Sequence, residues 1–253
     1  MNPIVRNVLM NRLRPTYDAQ SGGGRPRTLA LDYVLDRISY VLRTGCQWSH
    51  LPVRDGSWKT IYHYFAQWSK RHVFEHAFHD LLQFYLRRRG GLSAHVVVDT
   101  SFVKNVWGRD CLGRSPVDRG RKATKVSAIT DAQGTPLYLL FHPGNKNDGK
   151  TLAHILPKLA KRIPLRGRCL YGDKAYDTQP CRDIMRQHGL RDCITKRRQP
   201  SCPRQNRTRI VVEHAFSWLD KYRRIILRYD GLVCHFRSFH YLAALQLVAL
   251  RVR

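Results

Sequence analysis

The spacing of apolar residues changes part-way along this chain, and that change restricts the fold more than any other feature. Up to residue 85, apolar residues recur at i, i+3, i+4 and i+7, which is the spacing of one face of an α-helix. Gly45 is placed to end the first helix and Ser57 to cap the second. The basic run and paired glycines of 87–91 end this region, so we predict a small helical module over residues 25–90. The three apolar stripes cover residues 31–42, 58–68 and 74–85.

After this boundary the pattern becomes one of strands alternating with helices. Residues 95–99 form a short β-branched run, which is typical of a buried strand. Further strands are predicted at 125–130, 137–141, 168–171 and 191–195, and helices at 150–161, 179–188, 209–229 and 239–252. This alternation predicts an α/β layer fold for residues 91–253. Residues 1–24 are predicted to be a flexible leader, because the Ser-Gly-Gly-Gly run at 21–24 is typical of a flexible joint.

The chain carries a large excess of positive charge. Its 253 residues include 45 Lys and Arg but only 18 Asp and Glu, a formal net charge of +27. Such a charge repels itself unless a polyanion is the partner, and nucleic acid is the partner we expect because phosphate contacts release counterions. Hydrophobic residues make up 43% of the chain, which is enough for a packed core and argues against a disordered basic tail.

Membrane, secretion and metal-cysteine signals are weak in this sequence. No run approaches the roughly 20 apolar residues of a membrane span, and the first ten residues lack the apolar stretch of a signal peptide. The seven cysteines are scattered without CxxC pairs, which favours reduced thiols over a disulfide framework or a zinc site. We therefore expect a cytoplasmic, nucleoid-associated protein without a membrane partner.

Acidic residues are scarce, and three of them lie where strands and a helix could bring them together. Asp99 ends a strand, Asp173 follows the next strand but two, and Glu213 lies inside a late helix. Like charges at short range raise one another's pKa values, and Mg²⁺ relieves that cost by binding carboxylate oxygens. Two such ions can activate a nucleophile and stabilise the leaving oxygen of a phosphodiester. Taken singly, Asp99 and Asp173 are more typical of turn or cap residues, and Glu213 of a solvated helix face.

Basic residues flank these acids and line one helix, where they could contact DNA phosphates or simply be solvated. At about 100° per residue, Arg209 and Arg224 are expected on the same stripe of the late helix as Glu213. The remaining candidates are Lys59 and Lys70 on the second helix, Arg121 and Lys125 in the loop before a strand, Lys174 beside Asp173, and Arg204 and Arg207 ahead of the late helix.

Several short motifs occur in a fixed order along the chain: YVLRTGCQW at 40–48, VDTS at 98–101, DAQGTPL at 131–137, GDKAYD at 172–177 and VEHAFSWL at 212–219. Together they resemble bacterial insertion-sequence transposases of the DDE type, in the IS-five-like branch. The resemblance extends from Arg25 to the C terminus. Two positions depart from the family's longer signature: Asn206 stands where it has Tyr, and Asp220 where it has Lys, with Lys221 one position later.

The resemblance implies an RNase H-like catalytic domain, a mixed central sheet flanked by helices, preceded by a helix-turn-helix-like DNA-binding module. It implies that Asp99, Asp173 and Glu213 hold two Mg²⁺ or Mn²⁺ ions, with Lys221 as a further DNA contact. It also implies that water cleaves a transposon end and that the freed 3′-hydroxyl attacks the target strand. The expected partners are double-stranded terminal repeats and target DNA, with a homodimer or larger assembly in action.

Two alternatives stay open from the sequence. One is a domesticated or decayed transposase that binds DNA without catalysis. The other is a DDE-type nuclease that cleaves DNA without strand transfer. A non-catalytic binder would survive replacement of all three acids, whereas a nuclease would cleave DNA without joining the cleaved end to a target.

Overall fold

The computed structural model describes residues 1–18, 29–200 and 203–252, apart from the side chains of residues 204 and 205. The chain divides into two compact units. The helical unit comprises Met1–Tyr85, Val106–Gly108 and Leu219–Arg253, and the sheet unit comprises Leu86–Asn105 and Arg109–Trp218.

Helices and strands follow one another in the order that the sequence pattern predicts, with four elements that were not predicted: α1, β2, α8 and β7. No helix in the described ranges is long and apolar enough to cross a membrane. The helices are α1 (Pro3–Asp18), α2 (Leu31–Thr44), α3 (Trp58–Lys70), α4 (Val73–Arg88), α5 (Asp148–Ala160), α6 (Gln179–Gln187), α7 (Pro203–Leu219), α8 (Arg223–Ile226) and α9 (Val233–Arg251). The strands are β1 (His95–Asn105), β2 (Gly113–Arg114), β3 (Lys122–Asp131), β4 (Pro136–Pro143), β5 (Cys169–Tyr171), β6 (Arg191–Asp192) and β7 (Leu227–Arg228).

The helical unit is built from amphipathic helices whose ends the sequence marks. The apolar stripe of α2 is fully buried, and the helix ends at Gly45, whose φ of 69° is the left-handed conformation that glycine adopts without strain. Ser57 caps α3, because its side chain accepts a hydrogen bond from the Lys59 amide. Both end signals read from the sequence are thus confirmed.

Both ends of the chain differ from the sequence prediction. Residues 1–24 were expected to be a flexible leader, but Pro3–Asp18 forms α1, with a buried stripe at Val5, Leu9, Leu13 and Tyr17. The glycine joint at 21–24 lies outside the described residues. The C-terminal helix α9, expected in the catalytic domain, packs against α1, α2 and α3 in the helical unit. Because α9 is apolar on nearly every side, its sequence does not indicate which layer it joins.

The sheet unit contains a mixed sheet in the order β4–β3–β1–β5–β6. β1, β3 and β4 are antiparallel neighbours, whereas β5 runs parallel to β1 and β6 parallel to β5. The short strand β2 pairs with the start of β3. Helix α5 packs on β4 and on α6. Three antiparallel strands followed by two parallel ones is the strand order of the RNase H-like fold, so the predicted fold class is confirmed.

Candidate active site

Asp99 lies in the middle of β1, at the central position of the sheet. The three valines before it are buried and anchor the strand, while Asp99 itself is half-buried. Its Oδ1 accepts a hydrogen bond of 2.8 Å from the amide of Thr100. The strand therefore fixes the backbone of Asp99 while leaving its carboxylate near the surface of the sheet.

Asp173 follows β5, the parallel neighbour of β1. The register pairs Val97 with Tyr171, so two further residues along each strand lead to Asp99 and to Asp173. Asp99 was predicted to end its strand, but β1 continues to Asn105, so Asp99 lies within β1 beside the point where β5 ends. Asp173 caps a 3₁₀ turn, Lys174–Tyr176, by accepting a 2.8 Å hydrogen bond from the Ala175 amide at its Oδ1.

Glycine is required immediately before Asp173 because the neighbouring strand lies so close. A Cβ at Gly172 would lie 2.9 Å from Val98 Cγ1 and 3.0 Å from Ile194 Cδ1. Those side chains would have to move before any larger residue could fit. The tight packing at Gly172 thus sets the position of Asp173 relative to Asp99.

Glu213 is exposed on α7, which packs against the turn between β3 and β4. Gly134 in that turn has φ of 77°, and a Cβ there would lie 2.7 Å from the carbonyl oxygen of Val211. Only glycine allows both the turn conformation and this approach of the helix. Helix α7 is thereby held against the β3–β4 turn, and β3 is the antiparallel neighbour of the strand that carries Asp99.

Asp99 is influenced electrostatically by the other two acids. The pKa of Asp99 is raised from 3.8 to about 6, mainly by burial and further by the negative charges of Asp173 and Glu213. The Thr100 amide and the positive charge of Arg209 oppose this rise. Within the described part of the chain, no group of three or more His, Cys, Asp or Glu side chains is close enough to hold a metal ion by itself.

A chain of hydrogen bonds, not predicted from the sequence, joins β1 to β3, β4 and the turn after Asp173. Thr100 Oγ1 lies 2.8 Å from Ser127 Oγ and 3.0 Å from the hydroxyl of Tyr176, and Ser127 Oγ lies 2.7 Å from Nε2 of His142. Burial, and then the charge of Lys125, lowers the pKa of His142 to about 4, so this ring is neutral at pH 7. His142 is a polar residue in the otherwise largely apolar strand β4, which was the available signal.

Comparisons with known proteins identify the family. The description "Putative transposase of IS4/5 family" matches residues 7–78, and "Transposase DDE domain" matches residues 87–245, more than half of the chain. The chain belongs to the DDE transposase family.

Curated relatives and solved structures of transposases resemble this chain over different lengths. It is 34% identical over 133 residues to the "Putative transposase for insertion sequence element IS402" of Burkholderia cepacia, covering 49% of this chain and 62% of that one. It is 33% identical over 120 residues to the IS1106 transposase of Neisseria meningitidis serogroup B, covering 43% and 40%. The matched segment thus spans less than two thirds of either relative. The Mos1 mariner catalytic domain is similar at a TM-score of 0.33 and 13% identity, over 69% of this chain and 86% of that one. The Mos1 strand transfer complex is similar at a TM-score of 0.34 and 13% identity, over 100% and 98%.

Most basic residues predicted to meet DNA in this DDE-family chain are exposed. Arg209 is half-buried one turn before Glu213, and its charge reaches Asp99. Lys174 is exposed beside Asp173, with its Nζ 3.4 Å from the carbonyl oxygen of Gln199. The side chain of Arg204 lies outside the described part of the structure. The other exposed candidates are Lys59 and Lys70 on α3, Arg121 before β3, Arg207 on α7, and Lys221 after α7.

Lys125 differs from its sequence prediction. It was placed in a loop that could follow the DNA backbone, but β3 already begins at Lys122 and buries it. Its ammonium group lies 2.8 Å from Oδ1 of Asp148 and donates to the carbonyl oxygen of Lys146. Lys125 therefore pairs with Asp148 inside the sheet unit and is not exposed for phosphate contact.

Arg224 also differs from its sequence prediction. The late helix was expected to run unbroken over 209–229, but α7 ends at Leu219 and Arg224 belongs to the separate helix α8. It is buried, and its guanidinium group pairs with both carboxylate oxygens of Asp230 at 2.8 and 3.2 Å. Arg224 therefore does not share a stripe with Glu213. A buried partner four residues beyond the helix end is not visible in helical periodicity.

Proposed function

We propose that this protein is a DNA transposase that cleaves the ends of its mobile element and joins them to target DNA, with Asp99, Asp173 and Glu213 as catalytic residues. One observation carries the proposal: the raised pKa of Asp99, to which both other acids contribute. The position of Asp173 after β5, the parallel neighbour of β1, supports the same grouping of Asp99 with Asp173. Family membership adds that the fold belongs to proteins with a DDE domain.

A divalent cation fits the donor chemistry of this site. Mg²⁺ and Mn²⁺ favour oxygen ligands, and Mg²⁺ is often held by only one or two carboxylates together with substrate phosphate. Hydrogen bonds from the Thr100 and Ala175 amides to Oδ1 of Asp99 and of Asp173 orient both carboxylates and leave lone pairs for a cation. Two ions held by Asp99, Asp173 and Glu213 would supply positive charge for the attacking and leaving oxygens of a phosphodiester.

The residues around the acids orient the carboxylates and the DNA. Tyr176 and Thr100 link the turn that carries Asp173 to the strand that carries Asp99. Arg209 is placed to contact a phosphate of the strand being cut, since its charge already acts on Asp99. The exposed cations of both units hold the DNA backbone by phosphate contacts that carry no sequence information. We place this activity at the host DNA in the cytoplasm, in an assembly of at least two copies that joins two element ends.

The test is cleavage and joining of an element end by the full chain in the presence of Mg²⁺ or Mn²⁺. Wild type should nick a labelled duplex carrying the terminal repeat and join its 3′-hydroxyl to a plasmid. Glu213→Gln should lose both reactions while still binding the duplex, and Glu75→Gln, a replacement of an acid in the helical unit, serves as the control. Full activity of Glu213→Gln would disprove the assignment of this residue.

The same assay separates the alternatives. Cleavage without joining would identify a nuclease. Duplex binding without any cleavage, with or without the acids, would identify a non-catalytic DNA-binding protein.

A further inference from the structure

The helical unit contains an open pocket of about 400 Å³ that the catalytic assignment leaves unexplained. This volume lies in the range of small-molecule sites. Aromatic rings supply much of its lining: Trp48, Trp58, Tyr62, Trp107 and Tyr229. The sequence analysis had no signal for it, because these residues come from four separate segments of the chain.

The rings are held in place by one another and by the backbone. Trp48 meets Tyr62 edge-on with ring centroids 5.2 Å apart, and Trp107 meets Tyr229 edge-on at 5.3 Å. The amide of Trp107 donates to the carbonyl oxygen of Arg228. Even so, 58% of Trp107 is exposed. A rigidly mounted tryptophan left largely open to solvent is suited to stacking on a planar ligand.

The charges in and around the pocket indicate what kind of ligand it would bind. The charged side chains that line the pocket, Arg224 and Asp230, neutralise each other in a buried pair. Two exposed cations lie near lining residues. Lys59 Nζ is 5.9 Å from the centre of the Trp58 ring. A Cβ at Gly45, two residues before the pocket residue Gln47, would lie 3.1 Å from the Cβ of Arg223. A neutral aromatic interior with a cationic rim suits an uncharged planar ring attached to an anionic chain.

We infer that this pocket binds an unpaired nucleobase of DNA. The base would stack against the Trp107 ring, and the phosphates on either side would meet Lys59 and Arg223. The exposed side chains of Gln47 and Ser49 line the same pocket and can hydrogen-bond the edges of the base. Enzymes that act on DNA often take a base out of the stack, and aromatic stacking stabilises that base whatever its identity. The inference rests on the proposed function only in taking DNA as the ligand.

The test measures binding of a duplex with one unpaired 2-aminopurine, against the same duplex fully paired, in EDTA. Omitting the metal keeps failure of base binding distinct from failure of catalysis. Wild type should prefer the unpaired duplex and quench its fluorescence. Trp107→Ala should reduce that preference roughly five- to hundred-fold, the range measured for base–aromatic stacking, whereas Trp107→Tyr should retain most of it. Phe84→Ala is the matched control, because Phe84 is an exposed aromatic of the same unit that does not line the pocket.

Three results would overturn the inference. The first is equal affinity of wild type for the two duplexes. The second is a Trp107→Ala variant that behaves like Phe84→Ala. The third is 2-aminopurine fluorescence that stays unquenched in the wild-type complex. Melting curves of both variants confirm that the unit is folded in each comparison.

Discussion

Replacing Asp99 with asparagine should stabilise the fold while it abolishes catalysis. The pKa of Asp99 is raised from 3.8 to about 6 by burial and by its acidic neighbours. At 1.36 kcal/mol for each pKa unit, ionising this carboxylate costs the folded state about 3 kcal/mol at neutral pH. Asparagine keeps the shape and an oxygen that can accept the Thr100 amide. We therefore expect the free energy of unfolding to rise by about 1–3 kcal/mol at pH 7.

The sign of the pH dependence provides a second check on Asp99→Asn. The folded wild type binds more protons than the unfolded chain between pH 3.8 and about 6. This contribution to wild-type stability is thus complete below pH 3.8 and is lost as the pH rises through about 6. The advantage of the variant should therefore be small near pH 4 and full above pH 6.

Urea unfolding in EDTA, at both ends of this pH window, measures the effect. Asp55→Asn, at an exposed position, is the control for removing one negative charge. Mg²⁺ should then raise the unfolding midpoint of the wild type and not that of Asp99→Asn, because a ligand stabilises only the form that binds it. If Asp99→Asn were no more stable than Asp55→Asn at pH 7, ionised Asp99 would not destabilise the folded state.

Three further perturbations follow from contacts in the structure. Gly172→Ala should lower the free energy of unfolding by about 1–3 kcal/mol and reduce DNA cleavage, because its methyl group would strike Val98; unchanged urea and nicking curves would contradict the close packing. Tyr176→Phe should cost about 0.5–1.5 kcal/mol in thermal unfolding, since it removes the 3.0 Å hydrogen bond to Thr100; no change in melting would mean that this bond adds no stability. Burial lowers the pKa of His240 from 6.5 to about 4, so the free energy of unfolding should fall as the pH drops from about 6.5 to about 4. If the urea midpoint of His240→Gln fell as steeply with pH as that of the wild type, the loss of stability would come from other groups.

Local patterns in the sequence predicted most helices and strands of the sheet unit, and α2, α3 and α4 of the helical unit. Helix stripes and strand runs depend on near neighbours along the chain, so α2, α3 and β1 could be read directly. Asp99 and Asp173 were singled out because each comes at or just past a predicted strand, but β1 continues to Asn105, so Asp99 lies within its strand and not at its end. Glu213 was found through its motif rather than through its helical spacing.

Features that depend on distant partners were not predictable in the same way. Helix α9 is apolar on nearly all sides, so its sequence fits either unit equally well. Lys125 and Arg224 look like surface cations in the sequence, because nothing near them indicates that they pair with Asp148 and Asp230. The aromatic pocket collects residues from separate segments, and each of these residues alone looks like part of a helix core.

Two of the basic residues proposed to attract DNA are held in buried ion pairs. Lys125 and Arg224 are each neutralised by a carboxylate, so neither strengthens the field that attracts DNA. Arg209 differs from both, because its buried Nε has no hydrogen-bond acceptor among the described residues while its charge acts on Asp99. A buried donor without an acceptor costs stability, and a DNA phosphate at the acids would supply the acceptor. We therefore expect Arg209, rather than Lys125 or Arg224, to contact the DNA phosphate beside the acids.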